Sequence, residues 1–146
     1  MSTFVYRGEF NSNVESSAGA PYPIVALWMP AGSTKRATIN WTQVDSIFSV
    51  FKITSVSAVP LVRGGSVNVD FTENVSAEAQ VRYGWLQVGV PAPSNSTMQP
   101  MQKDCYQTNM FGGYTIVMGS ASGILMYNDI SGGDPVNQVF FNWSET

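Results

Sequence analysis

Apolar and polar residues alternate along most of this chain with the period of two that a half-buried β-strand requires. The cleanest stretch is Ser66 to Thr72, where Val67, Val69 and Phe71 interleave with polar neighbours, predicting one buried and one wetted face. Similar patterning predicts strands at Thr3 to Phe10, Ile24 to Met29, Ala37 to Trp41, Lys52 to Val62, Gln80 to Val90, Tyr114 to Met118, Ile124 to Tyr127 and Val136 to Trp143. Such a series predicts an all-β fold. Between Trp85 and Leu86, beside Gly84, the apolar phase switches, which predicts either a bulge or a strand buried on both faces.

One stretch departs from this rhythm. Val44, Ile47, Phe48 and Phe51 fall at i, i+3, i+4 and i+7, with Thr42 placed to cap and Asp45 three residues on, so the spacing predicts a short helix over 42–51. Turns are predicted at Met29 to Gly32, Arg63 to Gly65, Gly112-Gly113 and Ser131 to Pro135, where Gly or Pro sets the backbone. Pro91 to Phe111 lacks strand periodicity and reads as a long surface loop. No repeat or linker interrupts the chain, so residues 1–146 are read as one antiparallel β-sandwich domain.

Composition sharpens this picture. The chain is 44% apolar but only 12% charged, so its polarity rests on Ser, Thr, Asn and Gln, with 13 Gly and 8 Pro at the turns. A chain of 146 residues can bury a core without disulfides or a metal. The net charge of −3 lacks the basic footprint of a dedicated nucleic-acid-binding domain. Cys105 has no partner for an internal disulfide, and Met1 to Arg7 lacks the layout of a secretory signal, so an intracellular origin is expected. The longest apolar run, Ile24 to Met29, is far short of a membrane span, which predicts a soluble protein.

Candidate chemistry is sparse. The absence of histidine excludes His-dependent triads and the usual zinc sites. No glycine pair has phosphate-loop spacing, and Ser49-Val-Phe-Lys52 stands without the companion motifs of a serine acyl-enzyme. Asp129 and Asp134 lack calcium-loop spacing, and Cys105 beside Lys103 has no histidine base. Asp45, Asp70, Glu73 and Glu78 could form a glycosidase pair only if the fold brought two of them together. The expectation is a protein that is not an enzyme, with no catalytic residues, cofactor or metal. Arg7, Lys35 and Arg36 are the candidate nucleic-acid contacts, and Trp28 and Trp85 the candidate ligand or interface aromatics.

Several motifs in succession are shared with a known group. Ile24-Val-Ala-Leu-Trp-Met, Gly32-Ser-Thr, Ala37-Thr-Ile-Asn-Trp41, Val44 to Phe51 and Lys52 to Leu61 with its Pro60 follow one another, then Tyr83 to Asn95 with its Val-Pro-Ala-Pro loop, then Phe111-Gly-Gly-Tyr-Thr-Ile-Val-Met-Gly119. This order, over roughly residues 22–120, resembles the coat proteins of small icosahedral RNA viruses of plants, most of all the tymoviruses. The resemblance implies a jelly roll that self-assembles into an icosahedral shell around the genome, in virions assembled in the host cytoplasm. The implied partners are further copies of the chain, a second coat protein, and viral RNA held weakly or through polyamines or cations. The chain is shorter than those coats, and its C-terminal end lacks recognisable strands for the usual eight, a gap that Thr3 to Phe10 could fill. The alternative is a lectin-like or receptor-binding β-sandwich recognising a glycan through Trp28, Trp85 or the loop from Pro91 to Phe111.

Overall fold

A strand that is apolar at every position must be covered on both faces, and Ile24 to Met29 is such a strand. The structure, a computed structural model, describes residues 1–11, 22–44, 47–55, 62–86, 98–106, 115–127 and 136–146. Among them are eleven strands and no helix: β1 (Ser2–Asn11), β2 (Tyr22–Met29), β3 (Ala37–Val44), β4 (Ile47–Ile53), β5 (Val62–Gly64), β6 (Val67–Asn68), β7 (Gln80–Leu86), β8 (Met98–Tyr106), β9 (Ile116–Met118), β10 (Ser122–Tyr127) and β11 (Val136–Glu145). They form two antiparallel sheets, one in the order β6-β1-β11-β3-β9 and the other in the order β5-β7-β2-β10-β4-β8.

The pairings nest. β4 pairs with β8, β3 with β9, β2 with β10 and β1 with β11, so the chain is one long hairpin rolled until successive pairs fall in opposite sheets. This is a jelly roll-like β-sandwich. β5, β6 and β7 are inserted between β4 and β8, where β6 extends the first sheet beside β1 and β7 with β5 extends the second beside β2.

The main core lies between the sheets. Phe4, Phe141 and Trp143 of the first sheet face Val25, Leu27, Met29, Val50, Ile124 and Met126 of the second. Phe4 stacks on Trp143 with ring centroids 5.9 Å apart. A second cluster, formed by Ile24, Ala26, Trp28, Phe51, Ile53 and Leu125, buries the opposite face of the second sheet. Each large side chain fully buried in this way contributes about 1.5–3 kcal/mol.

This double burial explains why the helix expected over 42–51 does not form. Thr42 and Val44 end β3, while 47–51 begin β4; residues 45–46 lie outside the described ones. Val50 faces the main core and Phe51 the second cluster, so successive positions are both apolar and the spacing imitates a helical face.

Three other expectations need correction. The 66–72 strand stops at Asn68, because Asp70 Oδ1 accepts the Thr72 N–H and Asp70 O accepts the Glu73 N–H, bending the chain into a turn. The loop expected from Pro91 to Phe111 contains β8, an edge strand whose pairing with β4 is twice irregular and which tolerates Pro100 because one side is unpaired. The eight-strand frame is also complete at its C-terminal end, since β11 runs beside β1 over ten rungs. Within the predicted 52–62 strand, β4 ends at Ile53 and Val62 opens β5, with 56–61 outside the described residues. β7 keeps unbroken register with β2, so no bulge interrupts that ladder at Gly84.

At Gly123 of β10 the backbone of β2 leaves no room for a side chain. A Cβ there would run into the Leu27 carbonyl oxygen and come within 3.0 Å of Trp28 Cα, both backbone atoms. Gly123→Ala is expected to destabilise the fold by about 1–3 kcal/mol, seen as a lower urea midpoint. Gly119→Ala, where a Cβ meets nothing within 4 Å, serves as the comparison and should leave the midpoint nearly unchanged.

Candidate functional site

Two surfaces of the first sheet carry side chains that folding alone does not use. The first is its rim. From β6 onward the inserted segment leaves Val67, Val69 and Val75 exposed, with Phe71 88% exposed. The surrounding backbone is nonetheless fixed. Val69 donates its N–H to Thr3 O at 3.0 Å, and Glu73 Oε2 accepts Ser2 Oγ at 2.8 Å and Asn68 Nδ2 at 3.0 Å. The polar half of the alternating pattern therefore anchors the turn, while the apolar half is left to solvent.

A buried carboxylate secures the far end of the insertion. Glu145, at the end of β11, accepts the N–H groups of Glu78 and Ala79, each at 2.9 Å, and the Trp143 indole N–H at 3.1 Å. Three donors compensate its removal from water. Glu78 in turn accepts Thr34 N and Thr34 Oγ1 at 3.0 and 2.9 Å and Lys35 N at 3.2 Å, tying the β2–β3 loop to the insertion.

The second surface is the outer face of the first sheet. Its middle is a ladder of uncharged groups: Thr3 Oγ1 lies 3.0 Å from Ser144 Oγ, and Asn40 Nδ2 donates to Asn142 Oδ1 at 2.9 Å and Ser144 Oγ at 2.8 Å. Next to this ladder is a depression of about 330 Å³ lined by Arg7, Trp41, Gln43, Gln138, Val139 and Phe140. Trp41 meets Phe140 edge to face, with centroids 4.9 Å apart. Arg7 donates to Gln138 Oε1 at 3.2 Å, and Gln138 Nε2 donates to Glu9 Oε2 at 3.3 Å.

Trp41 faces outward because of a bulge. The β3–β11 register shifts between Asn142, opposite Trp41, and Trp143, opposite Ile39, leaving Asn40 as the extra residue. In a regular strand without the bulge Trp41 would keep the inward phase of Ala37 and Ile39. With it, Trp41 is 41% exposed and Thr42 takes the inward place at 1%. Thr42 Oγ1 is buried with no hydrogen-bond partner among the described residues, a cost of about 1–3 kcal/mol. Strict alternation from Ile39 puts Trp41 in the core; the signal missed is the pair of β-branched residues Thr42 and Val44 in the opposite phase.

The residues singled out in the sequence are scattered. Arg7 lines the depression, while Arg36 pairs its backbone with Thr146 six residues further along the ladder, roughly 20 Å away at the strand rise. Lys35 is half-buried beside Arg36, so the three cations do not form one patch. Trp28 is buried in the second core cluster and offers no exposed ring. Trp85 lies in β7 opposite Pro23, and its side chain, like that of Cys105 in β8, is outside the described ones.

Of the four carboxylates weighed as a hydrolytic pair, Asp45 lies outside the described residues. The Thr72 hydroxyl and amide hold the Asp70 carboxyl below its usual range, Asn68 and Ser2 do the same for Glu73, and Thr34 with the Lys35 amide for Glu78. A general acid needs the opposite shift. Among the described residues no group of three or more metal-ligating side chains comes together, and no helix is long and apolar enough to cross a membrane. No protein-family model matches the chain, and neither curated proteins nor solved structures give a significant match.

Two outcomes follow from this geometry. Because the pKa values of Asp70, Glu73 and Glu78 are lowered on folding from 3.8 and 4.5, their stabilisation is complete at neutral pH and is lost as pH falls through the folded values. A melting temperature that is level from neutral to about pH 5 and falls below it is expected, and a rise on acidification would contradict the assignment. Thr42→Val, which removes the stranded hydroxyl at constant shape, should raise the free energy of unfolding by about 1 kcal/mol in urea titration.

Proposed function

We propose that the chain is a structural coat subunit that associates with copies of itself to close a shell. The observation that carries this reading is the apolar rim. Val67, Val69, Phe71 and Val75 are exposed on a segment whose backbone is already fixed by Thr3, Ser2 and Glu73, so docking costs little ordering entropy. Large apolar side chains exposed so close together in sequence mark an association surface where they meet in one patch. The row lies at one side of an asymmetric tile and would meet a different surface of the neighbour, the kind of contact that closes into rings and shells.

Other features support the same reading. With 12% charged residues, like subunits approach with little repulsion. The resemblance of residues 22–120 to tymovirus-type coats extends it to an icosahedral virion enclosing an RNA genome and assembled in the host cytoplasm, with a second coat protein as a further partner. At a net charge of −3 this chain does not neutralise RNA by itself, and polyamines, divalent cations or that second protein would supply the positive charge.

Light scattering and negative-stain microscopy of the purified protein, followed with the 260/280 nm absorbance ratio, test the proposal. Uniform spherical particles are expected, with a raised ratio where RNA is enclosed. Phe71→Ser combined with Val69→Ser should yield dispersed subunits with unchanged melting temperature. A wild-type monomer under every salt and pH condition would refute self-assembly.

A further inference from the structure

We propose that the depression on the outer face of the first sheet is a binding site for a neutral saccharide, seated on Trp41 and Phe140. The argument begins with the bulge at Asn40. It exchanges a tryptophan for a threonine at an inward position, leaves Thr42 Oγ1 buried without a partner among the described residues, and exposes the indole that packing would otherwise cover. Strand irregularities that cost stability and re-aim one side chain concentrate at functional sites.

The groups around the indole define the ligand. A sugar ring has an apolar C–H face and an edge of hydroxyls that both donate and accept. The first matches the Trp41–Phe140 pair, whose rings meet edge to face at 4.9 Å. The second matches the relay in which Arg7 donates to Gln138 and Gln138 donates to Glu9, with Gln43 on the opposite wall. A volume of about 330 Å³ lies at the small end of the range for small-molecule sites, about 300–1,000 Å³. Charge decides against a phosphate-bearing ligand. Arg7 is offset by Glu9 through Gln138, and the adjoining ladder of Thr3, Asn40, Asn142 and Ser144 is uncharged. A polyanion gains little there, whereas a neutral polyol meets donors and acceptors in alternation.

This site is separate from the rim and does not rest on self-assembly. Saturation-transfer NMR of the whole protein with glucose, galactose, mannose, N-acetylglucosamine and their disaccharides, followed by titration of those that respond, tests it. At least one neutral sugar should bind. Trp41→Ala should weaken that binding by at least about tenfold, or roughly 1.4 kcal/mol, and Arg7→Ala and Gln43→Ala should weaken it measurably, with melting curves confirming that each variant folds. Arg63→Ala, the same charge change at an exposed position outside the depression, should leave it unchanged. The proposal is overturned if no sugar of the panel binds, or if binding survives both Trp41→Ala and Gln43→Ala. It is equally overturned if only a single-stranded oligoribonucleotide binds, with an affinity that falls steeply with salt.

Discussion

The antiparallel ladder between β1 and β11 is the constraint from which the rest of the structure follows. It joins strands from opposite ends of the sequence over ten rungs and places β11 in the interior of the first sheet, between β1 and β3. Every consequential surface depends on that placement. The inward side chains of β11, Val139, Phe141 and Trp143, complete the core against the second sheet, while its outward Phe140 supports Trp41. Its Glu145 carries the buried carboxylate that fixes the insertion at residues 78 and 79. Core, rim and aromatic face are thus three readings of one strand's two faces and its end.

Strand positions were largely legible in the sequence because half-buried strands leave a period-two trace. β1 and β11 are recovered closely, β3 as far as Trp41, and β2 without alternation, as a short run that is apolar throughout; the all-β sandwich follows from the number of such segments. The trace fails where burial is not one-sided. β4 is covered on both faces, so Val50 and Phe51 are both apolar and the segment imitates a helix. β8 lies at a sheet edge, contains Pro100 and pairs irregularly, so it has no clean period to read. Alternation also misled at Val67, Val69 and Phe71, where the apolar set is exposed because the polar set is occupied in holding a turn.

The candidate sites were less legible, for a related reason. Sequence patterning reports which side chains are apolar, but a site depends on which of them are left uncovered. Trp28 and Trp41 stand in similar strand contexts, yet one is buried in a core cluster and the other is turned outward where a bulge at Asn40 breaks the alternation of β3. Of the basic residues Arg7, Lys35 and Arg36, only Arg7 lines the depression beside Trp41, because the length of the ladder separates it from Arg36 and its neighbour Lys35. Two of the three donors to Glu145 are the backbone N–H groups of residues 78 and 79, far away in sequence, so that anchor leaves no local signature.

The position of β11 also sets an order of events during synthesis. The strand nearest the C-terminus must enter between β1 and β3, two strands made much earlier, so the first sheet is closed by the longest-range contacts in the chain. Until then β1 has no β11 beside it, and residues 78 and 79 have no Glu145 carboxylate. A nascent or truncated chain therefore displays the core side chains that Val139, Phe141 and Trp143 of β11 cover in the finished fold.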